Sequence, residues 1–187
     1  MIEQWQDLLA QLEIINSGRE VYTSDELLRF EAEDHITLPT GYKEYARVFG
    51  TGLLGYGMHV YAPSLLLVEY SQATLEECFL EQLKRFPLES EEKTASLKEL
   101  FKNAFVFADD SGAHVALWDL RTFGDDENYD IYWVDIDLID EEYRIGRDFF
   151  EFISGFCLGR SSYDFLPEEK RPSSDTPQRF NSFARRR

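Results

Sequence analysis

Cysteine is scarce in this chain, and long apolar runs are missing. The two thiols, Cys78 in LEECFLEQL and Cys157 in FISGFCLG, fall on stretches with helical spacing. They are expected to be reduced core thiols rather than a disulfide, as in a reducing cytoplasm. No apolar run approaches the roughly 18 residues of a spanning helix. The opening MIEQWQDLLAQLEII carries acids where a secretory signal needs positive charge. The expectation is a cytoplasmic chain with nothing to export or anchor it. Histidine is equally thin: His35, His59 and His114 stand apart from one another and from cysteine. Neither C-x-x-C nor H-E-x-x-H occurs, so each is expected to be structural and no metal is expected. There is no G-x-S-x-G, no P-loop and no strand followed by G-x-G-x-x-G. The glycines from 50 to 57 lack the lysine of a phosphate cradle and lie in apolar surroundings, so no cofactor is expected either.

Positive charge is the third shortage. Nineteen basic residues face 36 acidic ones, a formal charge of -17. A polyanion of that size repels phosphate backbones and anionic lipid, which excludes nucleic acid and membrane as partners of the body, and it attracts cationic proteins. What is present is core material: 43% of the 187 residues are hydrophobic and 15% aromatic, enough for one domain that folds alone.

Along the chain, Ile2, Trp5, Leu8, Leu9, Leu12 and Ile15 recur at spacings of three and four, which predicts a helix over 2–15. Thr23 with Glu26 resembles a capping box ahead of a second short helix. Pro39 opens a third, lined by Tyr42, Tyr45, Ala46 and Phe49, and Gly50 suits the left-handed residue that closes it. A strand is expected over 58–61. Residues 65–70 are ambiguous, 73–86 read as helix, and Leu97, Leu100 and Phe101 mark another. The period then changes to two over 104–109, 114–120 and 128–137, separated by the turn compositions DDSG and TFGDDE, which predicts an antiparallel meander. An apolar helix over 143–156 follows. Helices, then strands, then a helix is an α+β pattern: one antiparallel-rich sheet flanked by helices over 1–164, with an inserted helical segment at about 64–102. From 165 to 187 prolines interrupt a polar stretch that holds six basic and three acidic residues and ends in three arginines. It is expected to be a flexible basic tail, +3 against -20 for the body.

Acidic clusters are the richest chemical feature. Residues 125–142 hold nine carboxylates but do not match the spacing of a calcium-binding EF-hand loop. Asp135 and Asp137, two apart, share a strand face, which leaves a paired-carboxylate hydrolase site open beside the commoner solvated face. For a binding surface, the candidates are Asp109 and Asp110 in one turn, Asp125, Asp126 and Glu127 in the next connection, the adjoining Tyr129 and Asp130, and Tyr56 as an aromatic anchor. Alternate turns of a meander fall at opposite ends, so the two acidic groups are not expected to form one patch. Trp118, Tyr132 and Trp133 serve core and interface equally well.

Four stretches together resemble the SUKH superfamily, the Smi/Knr-type domains. In FEAEDHITLPTGYKEYARVFGTG they are Glu31 to Asp34, Ile36, Leu38-Pro39, Tyr42-Lys43-Glu44-Tyr45 and Phe49-Gly50-Thr51-Gly52; VFADDSGAHVALWDL, IYWVDID and RDFFEFISGF follow in order, over about residues 24–158. The resemblance implies an α+β domain with no known catalytic centre, in which the glycine run is where a helix turns into the sheet. It further implies a protein of immunity type that binds and neutralises a cognate toxin, often a nuclease or deaminase, or alternatively a regulatory scaffold joining other cellular proteins. No catalytic residues carry over. The partner expected on this reading is a basic protein; oligomeric state is left open.

Overall fold

The computed structural model describes residues 2–16 and 18–183. In β4 (Ala104–Asp109), β5 (His114–Asp119) and β6 (Asp130–Asp135), successive side chains take opposite faces, as strand geometry demands, and both faces are covered. Phe107, Trp118 and Trp133 join one apolar cluster while Val106, Leu117 and Val134 join another. These strands therefore read as continuous apolar runs. A β-bulge between Val106 and Ala108 lets Phe107 and Ala108 both enter the first cluster.

The three strands form the predicted antiparallel meander within one eight-stranded sheet of order β1-β8-β2-β3-β4-β5-β6-β7. The other members are β1 (Glu13–Asn16), β2 (Gly52–Leu54), β3 (Met58–Val60), β7 (Glu142–Gly146) and β8 (Arg179–Ser182). All neighbouring pairs are antiparallel except β1 with β8. The fold is α+β, as expected.

On the first face lie α1 (Ile2–Ala10), α2 (Ser24–Asp34), α3 (Thr40–Val48) and α7 (Phe149–Glu151), the last running on as a π-helical turn, Phe152–Cys157. Their aromatics interlock: the Phe149 ring packs edge-on to Tyr42 at 5.2 Å and to Tyr45 at 5.7 Å, and Trp5 lies edge-on to Tyr45 at 5.6 Å. Between β3 and β4 run α4 (Leu65–Ala73), a π-helical segment (Thr74–Leu80), α5 (Glu81–Arg85) and α6 (Glu91–Lys102). Phe79, Leu83, Leu97 and Phe101 of this stretch cover the opposite face of the sheet.

The helix-to-sheet passage works as the sequence suggested. Thr23 and Glu26 complete a reciprocal capping box on α2. Gly50 has φ 72°, and a Cβ there would strike the carbonyl oxygen of Glu20. Gly52 opens β2, and a Cβ there would fall on the Phe180 ring of β8. Among the described residues no helix is long and apolar enough to cross a membrane.

Four sequence expectations give way. The first helix stops at Ala10, and Ile14 and Ile15, β-branched, enter β1 instead. The helix expected over 143–156 begins only at Phe149, because Tyr143 and Ile145 alternate within β7. Cys78 is exposed, whereas Cys157 is the buried thiol expected. Within the stretch expected to be a tail, Phe180 is fully buried and β8 pairs on both sides, with β1 and with β2. The three terminal arginines lie outside the described residues.

Candidate functional site

The two acidic groups do lie at opposite ends of the meander. At the end where β5 leads into β6, Arg147 organises the loop. Its Nε and Nη2 donate to the Asp126 carboxylate at 3.1 and 2.9 Å, and its Nη1 donates to Asp130 Oδ1 at 2.7 Å. Nη2 also serves the carbonyls of Thr122 at 3.1 Å and Asn128 at 2.9 Å. Arg144 adds a second base, its Nε 2.8 Å from Asp130 Oδ2. Arg147 holds the Asp126 carboxyl below its ordinary value, and Arg144 with Arg147 does the same for Asp130. Glu127 adopts φ 54° and accepts from the Thr40 hydroxyl. The Tyr129 hydroxyl donates to the Thr37 carbonyl at 2.8 Å, and its ring is buried. Asp125 is exposed. Most of this acidic stretch is loop scaffold, and Tyr129 is core rather than a contact residue.

At the other end Asp109 is also buried. Its carboxylate accepts from the hydroxyls of Tyr61 and Tyr70 and from the Ser111 backbone N–H at 2.8 Å. Burial, with Asp109 beside them, pushes both phenols up. It therefore cannot meet a partner directly, contrary to the sequence expectation. The His59 ring lies 4.0 Å from that of Tyr61, tilted by 41°, and its buried Nε2 finds no hydrogen-bond partner among the described residues. Burial lowers its pKa, and Asp109 opposes the shift.

Asp110 and Tyr56 are brought together, lining one cleft of about 370 Å³ over Trp133 and Phe156. Tyr56 is exposed and donates from its hydroxyl to the Asp175 carbonyl at 3.1 Å. Asp110 caps its own turn, accepting from the N–H groups of Gly112 and His114, each at 3.0 Å, and lies 2.8 Å from His114 Nδ1. Burial disfavours its charge, but the bonds from His114 win and its pKa is lowered. The His114 ring stacks on Trp133 at 5.1 Å, 6° from parallel.

The residue that sequence reasoning missed here is Lys170. Its ammonium sits 3.0 Å from Asp135, 3.2 Å from His114 Nε2, and also pairs with Glu141. Burial works against its charge, yet Glu141 and Asp135 outweigh it and raise its pKa. No local signal in the proline-rich stretch around it marks that role. Both ring nitrogens of His114 are thus engaged, and Lys170 is held between carboxylates. The cluster is a lock that ties the segment around Lys170 to the ends of β5 and β6. The Asp135/Asp137 pairing does not form: β6 ends at Asp135, whose Oδ1 accepts from the Asp137 N–H at 2.9 Å, and Asp137 lies in the turn beyond. Among the described residues no group of three or more His, Cys, Asp or Glu side chains gathers as metal ligands.

A family model described as the SMI1 / KNR4 family (SUKH-1) matches residues 22–155. The match runs from the start of α2 into the closing π-helical turn and leaves α1, β1 and β8 outside it. No curated protein matches the chain.

Proposed function

Because this chain belongs to the SMI1 / KNR4 (SUKH-1) family, we propose that it is a non-catalytic protein-binding domain of immunity type, which masks the cationic surface of a toxin domain of nuclease or deaminase class. The observation that carries the reading is the charge that remains after internal pairing. Arg121, Arg144, Arg147 and Lys170 are each committed to carboxylates of the same chain, and the chain still carries -17. An enzyme that acts on nucleic acid must present cations to its substrate, and a rigid polyanion competes for that surface. The cytoplasm is where such a protein would meet its toxin.

Where the neighbouring reading frame encodes a large secreted protein, the test is to co-express the chain with that protein's C-terminal domain, measuring growth and co-purification. Rescue of growth with a complex whose association slows steeply with added salt supports the reading. Association without rescue points to the scaffold role instead. No complex at low salt and no rescue overturns the proposal. Asp125→Lys asks whether the exposed acid at the β5–β6 connection contributes, without disturbing the Arg147 scaffold.

A further inference from the structure

A groove of about 400 Å³ runs between α2 and the segment that opens α4. Tyr22 and Phe30, both buried, and Pro63 make its base. One wall is α2, fixed at its start by the Thr23 capping box and ended by His35 in the left-handed conformation. The facing wall is held by Ser64, whose hydroxyl accepts from the Leu67 N–H at 3.2 Å and so caps α4.

Two features of this groove have no use within the chain. Glu33 and Asp34, adjacent on its α2 wall, make no hydrogen bond or ion pair among the described residues, whereas the acids at both ends of the meander are nearly all committed. Burial, and then the neighbouring Glu33, raise the Asp34 carboxyl above its ordinary value, so a cation seated there would relieve both. Across the groove from the acids, Leu65 is 68% exposed at the lip. The exposed Leu65 at one lip and the unpaired acids on the opposite wall match a segment carrying both kinds of side chain.

We infer that this groove seats a cationic, apolar segment of a partner protein, with lysine or arginine against Glu33 and Asp34 and an apolar side chain over Leu65. This rests on the immunity reading for the partner's identity, but the recognition chemistry can be tested apart from it. Arg29, also lining the groove, favours a segment that keeps its cations toward the Glu33 end and its apolar side chain toward α4.

The experiment titrates the full isotope-labelled chain with a capped Lys-Leu-Lys-Leu peptide and a Glu-Leu-Glu-Leu control, following backbone amide shifts. The expected result is saturable shifts at Glu33, Asp34 and Leu65 with the lysine peptide alone, weakened about tenfold in Glu33→Gln/Asp34→Asn and again in Leu65→Ser. Shifts spread evenly over the acidic surface, no shifts, or unchanged affinity in these variants would overturn the inference. Concentration-dependent shifts at the same amides without peptide would also overturn it, since they assign the groove to a second copy of this chain. Circular dichroism of the variants, whose changed groups are exposed or lack partners, verifies that the fold is kept. A parallel titration with the toxin domain separates the two claims. Binding that ignores the variants removes the groove and leaves the immunity reading intact, while peptide binding with no toxin binding does the reverse.

Discussion

Lys170 Nζ lies 3.0 Å from Asp135 Oδ2 and so fastens the segment that follows the family domain to the end of β6. Both side chains are 10% exposed, which makes this an enclosed ion pair rather than a surface one. Its removal has consequences on both sides of the join.

Lys170→Met leaves Asp135 and Glu141 without their base. Breaking an enclosed pair from one side costs about 3 kcal/mol, because the stranded carboxylate keeps its desolvation penalty. Adding Asp135→Asn should recover part of the loss. Urea unfolding of the single and double variants measures this, and purely additive losses would refute the coupling.

Phe180→Ala removes a fully buried ring between β1 and β2 and is expected to cost about 4 kcal/mol. Ending the chain after Gln178 removes β8 altogether. Hydrogen exchange should then show β1 and β2 unprotected, because β8 is the strand that joins them.

Arg147→Ala releases Asp126 and two carbonyls at once and leaves Asp130 to Arg144 alone, and it should lower the urea midpoint of unfolding. Lysine should restore little, since it lacks the fork. Both aspartates titrate below the ordinary 3.8 in the folded chain. Their contribution is therefore complete above that value and fades as pH falls through it toward the depressed folded value. Acid unfolding curves should show a shallower drop in Arg147→Ala than in the parent chain.

His59 gives the milder pH effect. Its folded pKa lies below the ordinary 6.5, so the fold prefers the neutral ring. Stability is full above 6.5 and declines as pH falls through that value, where the unfolded chain takes up the proton first. His59→Phe keeps a ring against Tyr61 and Phe183 and loses no hydrogen bond at Nε2. The melting temperature of the parent should fall relative to that of His59→Phe from pH 7.5 to 5.5. A constant difference would show that His59 contributes nothing to the pH dependence.

Features written in neighbouring residues were legible from the sequence. The Thr23–Glu26 cap, the Gly50 stop and the three-strand meander each depend on a few adjacent side chains and came through with their boundaries nearly intact. Features that need a distant partner were not. Glu13–Asn16 is a strand because Arg179–Ser182 lies beside it, and neither short segment announces the other. Tyr143 and Ile145 fit both periods over so short a span, and pairing with β6 decided between them. The acidic loop looked like a surface for the same reason. A run of aspartates and a glutamate shows its charge but not that Arg147, downstream, will neutralise Asp126 and Asp130. The Glu33–Asp34 groove escaped because those two acids read as ordinary solvated helix residues until Pro63, Ser64 and Leu65 are placed opposite.

β8 is the last of the eight strands to leave the ribosome, yet it belongs between the first two. While the chain is being made, β2 to β7 can assemble in order, each beside a strand already present. β1 must wait, its backbone unpaired, until residue 182 has emerged. Translation thus imposes a late, long-range closure on a sheet that is otherwise built from neighbours, and a stalled or shortened product would expose the open flank of β2 to other chains.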